Sequence, residues 1–213
     1  MPFTRIEVVV LSVVDEMLQV LLAKRAEAPY AGKWALPGGV VRIDLDKSLE
    51  ASAQRVISER LDTAIPAMEQ LCAVGGPKRD PRSDWALSIV FKALVPYKQI
   101  SVNAGKRIES LSWRPVDQAM DDQTLAFDHA ELIRRAVLAT RDQIEMMTMP
   151  AGLLEPEFTL GDLQLTCEQV LGRKLDKSSF RRKLANRNIV DPIDGATRGG
   201  AFRPAQLYRL LSE

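Results

Sequence analysis

Residues 34–61 read WALPGGVVRIDLDKSLEASAQRVISERL, and the fold follows from this stretch. Leu49, Ala53, Val56, Ile57 and Leu61 recur at helical spacing and line one side of an α-helix. Ahead of them, a short strand at Trp34 runs into Pro37-Gly38-Gly39. Without β-carbons, Gly38 and Gly39 are expected to let the backbone turn sharply and come close to a ligand. The order expected is strand, glycine turn, loop, helix.

Outward toward the N-terminus, residues 6–14 and 17–22 are rich in β-branched and apolar side chains on either side of Asp15-Glu16, which predicts a hairpin with buried strands. Residues 23–32 read as a polar loop, whose Arg25 either reaches a phosphate or is a solvated charge. Toward the C-terminus, residues 71–74 and 85–95 read as strands. Between them lies GGPKRDPR, residues 75–82, read as a loop dense in breakers and cations. Loops held on a scaffold favour binding residues, and an arginine fork suits a diphosphate. Arg79, Asp80 and Arg82 are therefore ligand candidates, the alternative being a hairpin tip in solvent. Residues 108–113 form a further strand and 130–146 a helix that buries Leu132, Ile133, Ala136, Val137 and Ile144. Phe127 and His129, just before it, either meet a base or ribose or serve as core and cap groups. The sum is an α/β sandwich, a mixed sheet between two helices.

The chain has 213 residues, 46% of them hydrophobic, enough for one sizeable domain and a small one. No apolar run approaches the roughly 18 residues that span a bilayer, and the N-terminus lacks the layout of a signal peptide, so a cytoplasmic protein without a membrane partner is expected. Cys72 and Cys167 stand far apart among apolar neighbours and read as small buried hydrophobes. With His129 the sole histidine, no Cys/His zinc site can be assembled. The net charge of +1 is unevenly spread: residues 158–213 hold ten Lys/Arg and six Asp/Glu, a charge of +4, which leaves −3 for the remainder. Opposite signs suggest two domains with different partners.

Residues 148–157 carry two prolines and a glycine and read as a linker between domains at 1–147 and 158–213. Past it, Thr159 with Asp162 begins a helix marked by Leu160, Leu163, Cys167, Val170 and Leu171 and ended by Gly172. A short turn precedes a second helix at 177–186, a helix-turn-helix arrangement. Phe180 and Leu184 anchor its inner face. Lys177, Ser178, Ser179, Arg181, Arg182 and Lys183 remain as DNA-contact candidates, since the N-terminal half of such a helix enters a major groove. Residues 189–195 read as a turn, and two short strands around the Gly- and Arg-bearing segment 198–204 read as a wing, with Arg198 and Arg203 as backbone or minor-groove contacts. A small protein-interaction module with a solvated basic face is the alternative.

Arg55-Val56-Ile57-Ser58-Glu59-Arg60, with the glycines and the amphipathic helix, resembles a Nudix box. Joined to FTLGDLQ, LGRKLDKSSFRRKL and RGGAFRPAQLYRL, and with RDPR at 79–82 and LAFDH at 125–129, the chain is similar over nearly its whole length to the NrtR family, Nudix-related transcriptional regulators of NAD metabolism. The resemblance implies a Nudix-like α/β/α sandwich with a C-terminal winged helix-turn-helix. In Nudix enzymes the positions of Val56, Glu59 and Arg60 are all glutamates, one helical face that binds magnesium against a pyrophosphate. This chain keeps Glu59 alone, has Lys47 at the earlier glutamate position, and has two extra residues between Gly39 and Arg55. The implied reading is a pocket that persists without metal-dependent hydrolysis, so no catalytic residue, metal or cofactor is assigned. Arg25, Gly38, Gly39, Arg55, Glu59, Arg60, Arg79, Asp80, Arg82, Phe127 and His129 are the candidates for binding ADP-ribose or a related nucleotide. A homodimer on double-stranded operator DNA is the further expectation from the family. Two rivals stay open: a hydrolase drawing acids from Asp44, Asp46 and Glu50, and a regulator of the same architecture that senses a sugar such as arabinose. The wing also departs from the family's RGRPAxLYR, which leaves its tip contacts undefined.

Overall fold

The structure, a computed structural model, describes residues 3–199 and 204–211. Strands β1 (Phe3–Val14) and β2 (Met17–Arg25) form the expected hairpin. Asp15 and Glu16 both take positive φ, 48° and 63°, the backbone sense that suits a two-residue hairpin turn. β1 and β2 pair only from Leu11 to Val14 on the β1 side; upstream they part. Into the gap fit β3 (Trp34–Ala35), paired with β2, and β4 (Gly38–Val40), paired with β1. The outer strands are β7 (Ile108–Pro115) beside β2, and β5 (Glu69–Asp80) beside β6 (Ser83–Leu94), which lies parallel to β1. The sheet is mixed, as expected.

The glycines correct one expectation. Gly38 and Gly39 lie in β4 rather than in a turn, and neither takes positive φ. A β-carbon on Gly38 would stand 1.8 Å from Oε2 of Glu7, and one on Gly39 would stand 2.9 Å from Cγ2 of Val56. The missing side chains let β4 fit between β1 and the helix that follows, α1 (Leu49–Leu61).

Side chains alternate across β1 with the strand period of two. Ile6, Val8 and Val10 pack with Ala53, Val56, Ile57 and Leu61 of α1. On the other face Val9 and Leu11 pack with Leu132, Ile133, Ala136 and Val137 of a second long helix, residues 129–145. Arg5 and Glu7 share the parity of Val9, so both are buried on that second face despite their charge. α1 begins where the Ser48 hydroxyl accepts from Ala51 N–H at 3.1 Å and ends at Asp62 in the left-handed conformation. Its last carbonyls accept from a loop: Asn103 N–H to Leu61 O, Gly105 N–H to Arg60 O and Lys106 N–H to Glu59 O. Gly105 is required there, because a β-carbon would stand 2.4 Å from Glu59 O.

Three loop assignments from sequence are strands instead. Residues 23–25 belong to β2, and 75–80 belong to β5, where Pro77 is tolerated because β5 is an edge strand. Residues 191–195 belong to the wing strand described next.

After β7 comes α2 (Val116–Asp121), then α3 (His129–Glu145). In the linker, Met149 and Leu154 are buried in the same apolar cluster as α3. β8 (Phe158–Thr159) leads into α4 (Leu160–Leu171), which opens with a capping box between Thr159 and Asp162 and closes at Gly172, φ 70°. α5 (Lys177–Asn186) is capped by Asp176, which accepts from Ser179 N–H at 2.8 Å. β9 (Val190–Arg198) and β10 (Ala205–Leu210) complete a small sheet in the order β8-β10-β9. The helix-turn-helix and wing thus stand as expected, and their core of Leu163, Cys167, Val170, Phe180 and Leu184 is continuous with the α3 face of the larger sheet. Cys167 is buried and Cys72 only partly so. Among the described residues no helix is long and apolar enough to cross a membrane.

Candidate functional site

A cavity of about 280 Å³ opens between β4, α1, the end of β2 and the 105–108 loop. Eight bases line it (Arg5, Arg25, Arg42, Arg55, Arg60, Arg82, Lys106 and Arg107) against two acids, Glu27 and Glu59. Four further acids contact these bases: Glu7 lies 2.6 Å from Arg5, Asp44 3.0 Å from Arg42, Asp46 2.6 Å from Arg55 and Asp80 2.5 Å from Arg82. Eight bases less six acids leaves two positive charges in excess. Among the described residues Arg25 and Lys106 have no carboxylate within 4.0 Å, so part of that excess sits on them. A half-enclosed cleft with unbalanced positive charge attracts anions more strongly than the same charges in open water.

Arg60 is held by two backbone carbonyls. Its Nε donates to Gly38 O and its Nη1 to Lys106 O, both at 3.0 Å, so it links β4 to the loop that caps α1. Its side chain is 12% exposed. Burial pulls its pKa below the ordinary arginine value, with Glu59 opposing that pull. Arg55 is anchored chiefly by Asp46, through Nε at 2.6 Å and Nη2 at 2.7 Å, and only secondarily by Glu59 at 3.6 Å. That bond holds the Asp46 carboxyl well below the usual carboxylate range.

Magnesium does not fit these residues. Val56 is buried in the core, Glu59 stands 3.6 Å from Arg55 and 4.0 Å from Arg60, and Asp46 is bound to Arg55. Among the described residues no group of three or more His, Cys, Asp or Glu could hold a metal ion. A hard dication requires several anionic oxygens that are free to turn toward it.

Of the eleven ligand candidates read from sequence, seven line the cavity: Arg25, Gly38, Gly39, Arg55, Glu59, Arg60 and Arg82. The other four stand behind it. Arg79 is consumed by Asp128, at 2.6 and 2.8 Å, and by the Ser88 hydroxyl. Asp80, 1% exposed, holds Arg82. Phe127 carries Arg5 and Arg25 over its ring, at 5.2 and 5.3 Å, with Tyr30 edge-on at 4.7 Å. Its ring therefore orients arginines rather than meeting a base. His129 is 1% exposed, and its Nδ1 accepts from Leu36 N–H at 2.8 Å. Burial pushes its pKa down to about 3, so the imidazole is neutral.

Sequence reading missed Arg5, Arg42, Lys106 and Arg107. Arg5 and Glu7 had a usable signal, two charges at i,i+2 in an otherwise apolar strand. Lys106-Arg107 had only the neighbouring Gly105.

At the opposite end, Lys177, Ser178, Arg181, Arg182 and Lys183 are exposed and Ser179 is half-buried. Among the described residues none of these four bases is within 4.0 Å of a carboxylate, so the helix presents a band of free cations. Arg198 is engaged, donating to Asp162 at 2.8 Å and to Glu157 O at 3.2 Å, which ties the wing to the start of α4. Arg203 lies outside the described residues.

Residues 3–136 match the NUDIX domain family, and residues 150–210 match the NrtR DNA-binding winged helix domain. The chain is 35% identical to the ADPR responsive transcriptional repressor NtrR of Acinetobacter baylyi, over 98% of this chain and 82% of that protein. Among solved structures it is similar to Shewanella oneidensis NrtR complexed with a 27mer DNA, with TM-score 0.79 and 32% identity over 98% and 93% of the two chains. The NUDIX domain of the same Shewanella protein, complexed with ADP ribose, aligns at TM-score 0.60 and 31% identity over 65% and 88%.

Proposed function

The chain belongs to the NrtR family of Nudix-related regulators, and from that premise we propose that it is a ligand-responsive repressor of NAD metabolism genes whose effector is ADP-ribose or a closely related nucleotide. The observation that carries the effector assignment is the charge balance of the cavity. Two uncompensated positive charges face a ligand whose diphosphate carries one negative charge on each phosphate. Fixed guanidiniums bind such oxygens with charge-assisted hydrogen bonds and need no metal bridge. A sugar without phosphate would leave that excess unanswered.

The sensing domain spans 1–147, the linker 148–157 and the DNA-binding domain 158–213. Arg181 and Arg182 on the outer face of α5 enter the major groove, flanked by Lys177, Ser178 and Lys183. Two copies would read a two-fold symmetric operator. Effector bound more tightly to one arrangement of the domains than to the other weakens operator binding. A site that binds rather than hydrolyses is supported by the described residues, where no group of acids could hold a metal ion and Glu59 lies between two arginines.

The test is fluorescence anisotropy of a labelled palindromic fragment from upstream of an NAD gene, titrated with a panel of nucleotides and sugars. ADP-ribose shifting the operator curve, with arabinose inert, is the expected result. Response to the sugar alone would sink the assignment. So would magnesium-dependent release of AMP and ribose phosphate from ADP-ribose in a long incubation followed by chromatography.

A further inference from the structure

Behind the cavity floor lie two buried polar atoms without a hydrogen-bond partner among the described residues, Oε2 of Glu7 and Nε2 of His129. They face each other across 3.7 Å, and both side chains are 1% exposed. His129 Nδ1 accepts from Leu36 N–H, so the proton of the neutral ring sits on Nε2 and points at Glu7. The other oxygen of Glu7, Oε1, accepts from Arg5 Nε at 2.6 Å. Arg5 lines the cavity. Glu7 thus has one hydrogen bond made, to a cation an anionic ligand would claim, and one just out of reach, to the first residue of α3.

α3 is a single 17-residue helix whose far end holds the DNA-binding domain. Arg141 Nε donates to Val170 O of α4 at 3.0 Å, Glu145 pairs with Arg173, and Met146 O accepts from Arg187 at 2.6 Å. The cavity wall at Leu36, the carboxylate of Glu7 and the base of α3 therefore meet at His129, while the tip of α3 grips α4 and the end of α5.

We propose that Glu7, His129 and α3 form the connection between cavity and winged helix: an anion that engages Arg5 frees Glu7 to close on His129, and α3 carries the shift to Arg141 and the C-terminus of α4. The connection rests on the effector reading above. It uses a bistable contact, one carboxylate between two donors, and a rigid element that both ends can bias.

The test uses the full chain and two variants. His129→Asn keeps an acceptor for Leu36 N–H but cannot reach Glu7, and Arg141→Ala removes the hydrogen bond to Val170 O, the proposed point of transfer to α4, without touching the cavity. For each, calorimetry gives ADP-ribose affinity, and anisotropy gives the ratio of operator Kd with and without saturating ADP-ribose. In the wild type that ratio should lie in the usual coupling range of about 5 to 150. In both variants it should fall to within about twofold of unity while ADP-ribose affinity stays within about threefold, the mark of lost coupling rather than lost binding. A folded His129→Asn protein that keeps the wild-type ratio overturns the connection and leaves the effector reading standing. If that variant fails to fold, Arg141→Ala decides alone by the same criterion. A wild-type chain that does not bind ADP-ribose sinks the effector reading, and the connection with it.

Discussion

Arg60 stands where Nudix enzymes carry a glutamate, and replacing it with that residue probes what the position now does. Arg60→Glu turns one positive charge into a negative one beside Glu59, whose carboxylate is 4.0 Å from the guanidinium. A phosphate about 4 Å from Arg60 would interact with it by about 4 kcal/mol at an effective dielectric of about 20, an upper figure for a cleft open to solvent. Net values for hydrogen bonds to charged groups are smaller, about 1.5 to 3 kcal/mol, and reversal adds repulsion of similar sign. A loss of about 3 kcal/mol, roughly a hundredfold in Kd for ADP-ribose, is expected. Arg60→Gln, which only removes the charge, should lose about tenfold. Calorimetry at low and moderate salt gives both values, and the gap between wild type and variants should narrow as salt screens the cleft. Operator binding without effector should be unchanged, because α5 lies at the other end of the molecule. Magnesium should not restore hydrolysis to Arg60→Glu, since Val56 remains in the core and Asp46 remains on Arg55. Wild-type affinity in both variants would refute the assignment of charge neutralisation to Arg60, as would an equal fall in ligand-free operator binding.

Three other outcomes follow from particular contacts. Arg181→Ala with Arg182→Ala should weaken operator binding and lower the slope of log K against log salt by about 1 for each arginine that neutralises a phosphate; unchanged affinity and slope together place the DNA elsewhere. Gly38→Ala sets a β-carbon 1.8 Å from Glu7 Oε2, and overpacking of this kind costs about 1 to 3 kcal/mol, so a drop in Tm of several degrees is expected and a neutral result would contradict the fit of β4 against β1. Glu168 accepts from Leu175 N–H, Lys174 and Gln164, which hold its pKa down to about 2. A depressed carboxylate stabilises the fold above its unfolded pKa of about 4.3 and loses that contribution as pH falls toward 2, so Glu168→Gln should lower Tm at pH 7 and match the wild type near pH 2.

The elements that sequence revealed are those whose pattern is local. Helical spacing fixed both ends of α1, and Thr159 with Asp162 announced α4 before its capping box was seen. What escaped was set by partners distant in the chain. Gly75-Gly76-Pro77 has the composition of a loop, yet β6 holds it in register as an edge strand. Gly38 and Gly39 looked like a turn because their reason for being glycine, Glu7 and Val56, lies on other elements. The same holds for the site. Arg79 and Arg82 are three residues apart and chemically alike, but Arg79 near the end of β5 pairs with Asp128 while Arg82, in the turn between β5 and β6, reaches the cavity. Arg5 and Lys106 join that cavity from segments about a hundred residues apart, which no local motif could reveal.

The arrangement of the cavity also explains why binding and catalysis can part company on one scaffold. Interactions that are equally good in the ground and transition states raise affinity without raising turnover. A guanidinium held by Gly38 O and Lys106 O, as Arg60 is, offers the same donors to a resting diphosphate as to one under attack. It supplies no activated water, and Glu59 beside it is drawn toward two arginines. A magnesium cluster would instead put its charge where the leaving phosphate develops its own. On the proposed reading, arginine at position 60 and valine at 56 in place of glutamates shift the free energy of the site from reaction toward occupancy, and occupancy is the quantity a regulator has to report.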